Sequence, residues 1–173
     1  LFYAYINITS IIIVKIYHMS ISKQTLSIII VTFKSDHVIH DCIQSISDKI
    51  KIIIVDNSND KKFKENIEKK YNNVECILSE RNLGMGPGNN LGLKYVKTNY
   101  VLILNPDIVF EKNSIQEIID ASNNINSFSI LAPLANDIKY PNYKVNKKNQ
   151  KNINNVKPFK VNSVDGFAMV LNL

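Results

Sequence analysis

Continuous apolar runs along the chain predict strands that are buried on both faces. Residues 26–33, 51–56 and 101–104 are mostly apolar and rich in β-branched side chains, without the polar alternation of a half-exposed strand. Residues 74–78 and 128–134 are further apolar runs of strand length. The pattern therefore predicts five strands, and it favours central positions in a parallel sheet for the first, second and fourth.

The segments between these strands show the periodicity of amphipathic helices. Apolar positions recur at helical spacing after the first strand, where Asp36 is the predicted N-cap. Further helices are predicted over residues 61–71, 89–97 and 114–121. Strands that alternate with helices at this spacing predict an α/β domain, in which helices flank a mostly parallel sheet.

Polar residues follow three of the predicted strands. Because the carboxyl ends of parallel strands meet at one edge of the sheet, where ligands of open α/β sheets bind, we expect these residues to lie together. An acid at such an edge is a candidate to hold a metal or a polar substrate. A plain strand-terminating turn is the alternative interpretation of Asn-Pro-Asp. The residues are Thr32 and Phe33, Asp56 and Asn57, and Asn105, Pro106 and Asp107.

Residues 81–92 hold four of the five glycines in the chain. A loop this rich in glycine lets backbone amides approach a ligand closely, and the helix predicted from residue 89 would favour an anion at its N-terminus. A diphosphate would suit this loop. The spacing is not that of the dinucleotide fingerprint, and the lysine of a phosphate-binding loop is absent. Glycines at a tight strand-to-helix turn are the alternative interpretation.

The amino-acid composition indicates which classes of binding partner to expect. The 173 residues suit one domain, and the net charge of +6 comes almost wholly from lysine, with Arg81 as the single arginine. A nucleic-acid surface usually depends on arginines and interleaved aromatic residues, so we expect no nucleic-acid partner. Cys42 and Cys76 have no metal-type spacing and are expected to be buried thiols in a reducing compartment.

Both ends of the chain differ from its middle. We interpret residues 1–18 as a non-native upstream extension or a disordered segment, with Met19 as the native start. The apolar run at residues 11–14 is too short to cross a bilayer, so we expect at most peripheral membrane association. Residues 135–160 are rich in asparagine and lysine and are predicted to be irregular.

The last residues of the chain predict the beginning of a further strand. Asp165 and Gly166 interrupt residues 161–171, either as a bulge or as a polar group presented to a substrate. We expect residues 19–173 to form a domain that is truncated at its C-terminus, with its acceptor side incomplete.

In this order the motifs resemble those of the family 2 glycosyltransferases of the GT-A fold, and within them the rhamnosyltransferase-like branch. The matching segments are residues 28–33 (IIIVTF), 54–58 (IVDNS), 82–92 (NLGMGPGNNLG) and 102–107 (LILNPD), and the resemblance covers roughly residues 26–173. The combination is specific, whereas each motif alone is not.

The resemblance implies transfer of a sugar from a nucleotide diphosphate sugar to an acceptor hydroxyl, with inversion at the anomeric carbon. It implies a saccharide or lipid-linked acceptor, a role in cell-surface polysaccharide synthesis, and a cytoplasmic location, with the inner face of the membrane as an option. Mg²⁺ or Mn²⁺ is the implied cofactor. The alternative hypothesis is a catalytically inert fragment that binds nucleotide sugar. A sugar-phosphate nucleotidyltransferase is disfavoured, because residues 32–36 lack its Gly-rich loop with Arg and Lys.

The same resemblance implies roles for individual residues. Asp107 would bind the metal, and Asn105 replaces the first acid of the family's metal motif. Asp56 would hydrogen-bond the base. No general base is found, and we expect it downstream of Leu173. The implied nucleotide-sugar-binding residues are Thr32, Phe33, Asp56, Asn57, Arg81, Asn82, Gly84, Asn90 and Asn105, with Asp165 and Gly166 on the acceptor side.

Overall fold

Ten strands and four helices make up the described part of the chain, which in this computed structural model comprises residues 2–5, 25–125, 127–135, 141–145 and 158–173. The helices are α1 (Asp36–Gln44), α2 (Lys61–Lys70), α3 (Met85–Leu93) and α4 (Ser114–Asn124). The strands are β1 (Phe2–Tyr5), β2 (Leu26–Thr32), β3 (Lys51–Asp56), β4 (Val74–Leu78), β5 (Tyr100–Leu104), β6 (Ile130–Pro133), β7 (Tyr143–Lys144), β8 (Phe159–Val161), β9 (Ser163–Val164) and β10 (Ala168–Asn172).

Eight of these strands form one mixed sheet in the order β4-β3-β2-β5-β10-β6-β1-β8. Strands β4, β3, β2 and β5 are parallel neighbours, and β1 is parallel to β6. Strand β10 runs antiparallel between β5 and β6, and β8 is antiparallel to β1. The predicted mostly parallel sheet flanked by helices is therefore confirmed.

Helices cover both faces of this sheet, which explains why its central strands carry apolar residues on both faces. Ile39 of α1, Ile67 of α2 and Ile118 of α4 belong to the large core cluster on one face. On the other face Leu93, at the end of α3, packs against a second cluster around Ile29. Successive residues of β2 and β3 therefore point into one core or the other, and neither strand carries a solvent-facing row.

Most of the predicted elements are present, with shifts at their ends. Strands β3 and β4 have the predicted bounds, whereas β2 ends one residue earlier, at Thr32. Asp36 is the first residue of α1, and Ser35 occupies the N-cap position, so the predicted cap was wrong by one residue. Strand β6 spans Ile130–Pro133 and is shorter than the strand predicted over residues 128–134. Phe128 is buried although it lies before the strand begins.

The predictions for residues 1–18 and 135–160 are only partly covered by the described residues. Phe2–Tyr5 of the segment 1–18 forms β1, and the other residues of that segment lie outside the described ranges. Strand β7 and most of β8 fall within the segment 135–160, which was predicted to be irregular. None of the helices in the described ranges is long and apolar enough to cross a membrane.

Side chains of α2 close the outer edge of β4, the last strand on one side of the sheet. Glu68 Oε1 accepts the backbone N–H of Cys76 at 2.8 Å, and Lys64 Nζ donates to the carbonyl of Cys76 and to Glu68 Oε1. Unpaired edge groups would otherwise be a template for pairing with another chain. Burial would raise the pKa of Glu68, but the bond from Cys76 and the ammonium of Lys64 lower it below its ordinary value.

We predict that Glu68→Ala lowers stability and promotes self-association through β4. The N–H of Cys76 loses its partner, at a cost of about 1 kcal/mol. Because the folded-state pKa of Glu68 is lowered, its contribution is fully present above the unfolded-state pKa and is lost as the pH falls through the folded-state pKa. Glu65→Ala, on the exposed part of the same helix, is the control. Light scattering across a concentration series would refute the prediction if both variants stayed monomeric.

Candidate active site

The two acids singled out in the sequence lie at the same edge of the sheet. Strand β2 pairs in parallel with β3 on one side, where Thr32 is opposite Asp56, and with β5 on the other, where Ile30 is opposite Leu104. Asp56 ends β3, and Asp107 follows the end of β5. We call this side of the sheet, at which β2, β3, β4 and β5 end, the carboxyl edge.

Asp56 is a buried carboxylate that organises its surroundings through hydrogen bonds. It is 2% exposed, and Thr32 Oγ1 donates to its Oδ1 at 3.1 Å. The backbone N–H of Ser58 donates to the same oxygen at 3.2 Å, and that of Asp60 donates to Oδ2 at 2.9 Å. These bonds compensate for the loss of water around the charge, so the carboxylate is held in one orientation.

Asn57 is the second buried polar residue at this edge, and it ties the glycine segment to the sheet. Its backbone N–H donates to the carbonyl of Thr32 at 2.8 Å. Its Oδ1 accepts from the hydroxyl of Ser79 at 3.0 Å and from the N–H of Leu83 at 3.4 Å. Its Nδ2 donates to the carbonyl of Gly84 at 3.2 Å. One side chain therefore joins the ends of β3 and β4 to the start of α3.

The glycine segment is mostly helix, which corrects the prediction of a loop followed by a helix from residue 89. Helix α3 starts at Met85, and Gly84 before it has a φ of +76°, a conformation that favours glycine. A Cβ at Gly88 would lie 2.9 Å from Val31 Cγ1, and one at Gly92 would lie 2.8 Å from Ile29 Cγ2. The sequence predicted that these glycines let a ligand approach the backbone closely. At Gly88 and Gly92 the group that lies close to the backbone is instead strand β2.

Asn105 connects the end of β5 to the start of β10. Its backbone N–H donates to the carbonyl of Phe167 at 2.8 Å, and its carbonyl lies 3.7 Å from the thiol of Cys42. Burial, and then the charge of Asp107, raises the pKa of Cys42 to about 12. Cys42 and Cys76 are both buried free thiols, as predicted.

Two oxygen-bearing side chains at the end of β5 are of the type that binds a hard divalent cation. Asp107 is exposed, and Asn105 Oδ1 is buried without a hydrogen-bond partner among the described residues. A buried acceptor in this state costs about 1–3 kcal/mol and is relieved when a donor or a cation reaches it. No cluster of three or more His, Cys, Asp or Glu that could hold a metal is found within the described ranges. Mg²⁺ suits such a site, because it commonly takes one or two protein oxygens and completes its shell with phosphate and water.

Two cavities open near these residues. One of about 360 Å³ lies where β2 and β3 end, and Lys34, Asp56, Ser58 and Asp60 are among its lining residues. Another of about 350 Å³ lies beyond Asp107, between α4 and the segment before β10. Asp107 lines the second cavity, while Asp56 lines the first.

The predicted site residues other than Asn105 and Asp107 fall into two groups. Direct hydrogen bonds join Thr32, Asp56, Asn57 and Gly84, and Asn82 Oδ1 accepts the N–H of Gly84 at 2.9 Å. The remaining predicted residues, apart from Asn105 and Asp107, make no side-chain hydrogen bond or ion pair within the described ranges; these are Phe33, Arg81, Asn90, Asp165 and Gly166.

Asp165 and Gly166 lie in a turn between β9 and β10, and not in a bulge. This turn precedes Phe167, so it lies near Asn105 at the carboxyl edge.

Sequence reasoning missed Ser79, which is 2% exposed and whose N–H donates to the carbonyl of Asp56 at 3.0 Å. Its position directly after β4, equivalent to that of the polar residues after β3 and β5, was the available signal.

Comparison with known proteins identifies the family. The model of the family described as Glycosyl transferase family 2 matches residues 27–172. The chain belongs to glycosyl transferase family 2. This family 2 domain is 33% identical over 112 residues to the low-salt glycan biosynthesis hexosyltransferase Agl10 of Haloferax volcanii. That match covers 62% of the chain and 36% of Agl10, so the domain spans about a third of that relative.

Solved structures show that the family 2 domain has the GT-A fold. A crystal structure of S. aureus TarS 1–349 in complex with UDP-GlcNAc matches 62% of the chain and 33% of TarS, with a TM-score of 0.53 and 22% identity. The mannosyltransferase PcManGT of Pyrobaculum calidifontis, in complex with GDP-Man and Mn²⁺, matches 91% of the chain and 48% of PcManGT, with a TM-score of 0.60 and 9% identity.

Two glycines of α3 should respond differently to the same substitution. Gly88→Ala places a methyl group against the stiff side chain of Val31 and should destabilise the domain by roughly 1–3 kcal/mol. At Gly86 an added Cβ meets nothing within 4 Å apart from its chain neighbours, and the gain in helix propensity is offset by the restriction on a residue that precedes Pro87, so Gly86→Ala should change stability by less than about 1 kcal/mol. Chemical denaturation of both variants measures the difference. Equal effects at the two positions would contradict the packing of α3 on β2.

Proposed function

We propose that this family 2 domain binds a nucleotide diphosphate sugar at the carboxyl edge and transfers the sugar to an acceptor hydroxyl with inversion. The position of Asp56, the start of α3 and Asp107 at the same edge of the sheet supports the proposal most directly. It is also supported by Agl10, a hexosyltransferase, and by the complexes of TarS with UDP-GlcNAc and of PcManGT with GDP-Man and Mn²⁺.

The diphosphate is proposed to lie between α3 and the end of β5. Asp107 and Asn105 Oδ1 would hold Mg²⁺ or Mn²⁺, which neutralises the charge that develops on the leaving nucleoside diphosphate. The N–H groups at the start of α3 would donate to phosphate oxygens. Arg81 is exposed beside this segment and would add a charge-assisted bond to phosphate.

The nucleoside is proposed to occupy the end of β2. Asp56 would accept a hydrogen bond from the base, and Thr32 holds that carboxylate in place. The ring of Phe33 is half exposed, which leaves a face for stacking. Asn57 and Asn82 would act by fixing Gly84, whereas Asn90 would reach the ligand from the exposed side of α3.

The acceptor is proposed to approach from the side of β10. The turn at Asp165 and Gly166 lies next to Phe167, whose carbonyl accepts the N–H of Asn105. The general base is proposed to lie in a segment after Leu173. Binding of nucleotide sugar without turnover is the second candidate, and donor binding with neither transfer nor hydrolysis of the sugar would support it.

The remaining features of the proposal concern context. We place the domain in the rhamnosyltransferase-like branch, in the cytoplasm or at the inner face of the membrane, with a saccharide or lipid-linked acceptor of a cell-surface polysaccharide. The motifs at residues 54–58 and 102–107 support the assignment to that branch. No nucleic-acid partner is proposed.

Donor binding should raise the melting temperature in a metal-dependent way. A nucleotide diphosphate sugar at a hundred times its Kd adds about 2.7 kcal/mol. For a chain of this size, that corresponds to a shift of roughly 5–10 °C. Asp107→Ala should remove the part of the shift that Mg²⁺ or Mn²⁺ contributes, while its own stability stays within about 0.5 kcal/mol because Asp107 is exposed.

Asp48→Ala, an exposed acid at the opposite edge of the sheet, is the matched control and should keep the full shift. Differential scanning fluorimetry measures all three chains. The absence of a shift with every nucleotide diphosphate sugar tested, with either cation, would contradict the proposal.

A further inference from the structure

Residues 81–84, which lead from β4 into α3, are held in place by side chains. The N–H of Gly84 donates to Asn82 Oδ1 at 2.9 Å, and its carbonyl accepts from Asn57 Nδ2 at 3.2 Å. Asn57 Oδ1 accepts the N–H of Leu83 at 3.4 Å. Among the described residues, no backbone-to-backbone hydrogen bond holds the part of this segment before Gly84. The course of the segment therefore depends on a few polar side chains.

Ser79 anchors the beginning of the same segment. Its hydroxyl donates to the carbonyl of Arg81 at 2.7 Å, and it also lies 3.0 Å from Asn57 Oδ1 and 3.1 Å from the carbonyl of Asp56. A hydroxyl has only one proton for these acceptors. The carbonyl of Asp56 also accepts the N–H of Ser79, and Asn57 Oδ1 also accepts the N–H of Leu83. Within the described ranges the carbonyl of Arg81 has no other donor, so it is the acceptor that depends on Ser79.

We propose that Ser79 is a positioning residue for the diphosphate of the donor. This inference rests on the proposed function and deepens it. Ser79 is 2% exposed and does not line either cavity at the carboxyl edge, so it would not touch the ligand. It would act through Arg81 and through the start of α3, which are the groups proposed to bind phosphate.

The hydrogen bonds of Ser79 fix these phosphate-binding groups before the donor binds. The bond to the carbonyl of Arg81 holds the first residue of the segment. The bond to Asn57 Oδ1 holds the amide whose Nδ2 donates to the carbonyl of Gly84. A segment that is already ordered loses less conformational freedom when a ligand binds, so its N–H groups and its arginine bind phosphate more tightly.

The nucleoside end of the site should not depend on the hydroxyl of Ser79. The carboxylate of Asp56 is held by Thr32, Ser58 and Asp60. The backbone N–H of Ser79, which donates to the carbonyl of Asp56 at 3.0 Å, remains in Ser79→Ala. Loss of the hydroxyl should therefore weaken the binding of phosphate groups and leave the binding of the base unchanged.

Isothermal titration with a nucleoside diphosphate and its monophosphate, at one fixed Mg²⁺ concentration, tests the proposal. UDP and GDP are titrated into the unaltered chain first, and the tighter of the two is then compared with UMP or GMP. The Kd of the monophosphate divided by the Kd of the diphosphate measures what the second phosphate contributes. In Ser79→Ala this ratio should fall about five-fold or more, because the segment must be ordered when the diphosphate binds.

Two outcomes separate this inference from the proposed function. An unchanged ratio in folded Ser79→Ala would overturn the positioning role and leave the proposed function intact. Failure of both diphosphates to bind the unaltered chain would overturn both.

Ser122→Ala is the matched control. Ser122 is 1% exposed, and its hydroxyl donates to the carbonyl of Ile118 at 2.8 Å within α4. Both substitutions remove a buried hydroxyl that donates to a backbone carbonyl, so a general loss of stability should appear in both variants. The ratio should fall only in Ser79→Ala, and an equal fall in Ser122→Ala would contradict the positioning role.

A second measurement needs no variant. Hydrogen exchange at the amide of Leu83 in the unaltered chain should be slowed before any nucleotide is added, because its acceptor on Asn57 is already held by Ser79. If Ser79→Ala does not fold, this measurement decides. Exchange at Leu83 that is slowed only after the diphosphate is added would overturn the inference.

Discussion

The parallel alignment of β3, β2 and β5 is the constraint on which the site depends. In a parallel sheet every strand ends at the same edge, so residues that are far apart in sequence are delivered to one place. Asp56 and Asp107 follow from strands on either side of β2 and are placed at the same edge in this way. Helices cover both faces of the sheet, so these strands can carry buried apolar side chains on both faces.

The carboxyl edge divides its polar residues between two tasks. Asp56, Asn57 and Ser79 are almost fully buried and bond to one another or to neighbouring backbone, so they set the shape of the edge. Asp107 is exposed and Phe33 half exposed, so both can meet a ligand without breaking an internal bond. The buried residues fix the geometry of the edge. The exposed residues supply the contacts that a family 2 glycosyltransferase would make with its donor.

The sequence predicted the features that depend on local pattern and missed those that depend on contacts. The bounds of β3 could be predicted because burial on both faces leaves an unbroken apolar run. The start of helix α3 was predicted wrongly because glycine is a poor helix former. Gly88 and Gly92 lie in the helix because a larger residue there would collide with Val31 and Ile29 of β2. The position of Asp56 and Asp107 at one edge followed from topology. The position of Ser79 directly after β4 was visible in the sequence, but its hydrogen bonds to Asp56 and Asn57 needed coordinates.

Paramagnetic NMR with Mn²⁺ tests most directly whether the ends of β3 and β5 and the start of α3 form one site. Amide spectra of the chain would be recorded with UDP, first with Mg²⁺ and then with Mn²⁺ in its place. We expect UDP to shift the amides of Ser58 and Asp60, and Mn²⁺ to broaden those of Asp107, Ile108, Met85 and Gly86 while leaving Asn73 and Val74 at the opposite edge sharp. Broadening that spared Asp107 and Met85, or that required no UDP and lay elsewhere, would contradict a shared nucleotide and metal site at the carboxyl edge.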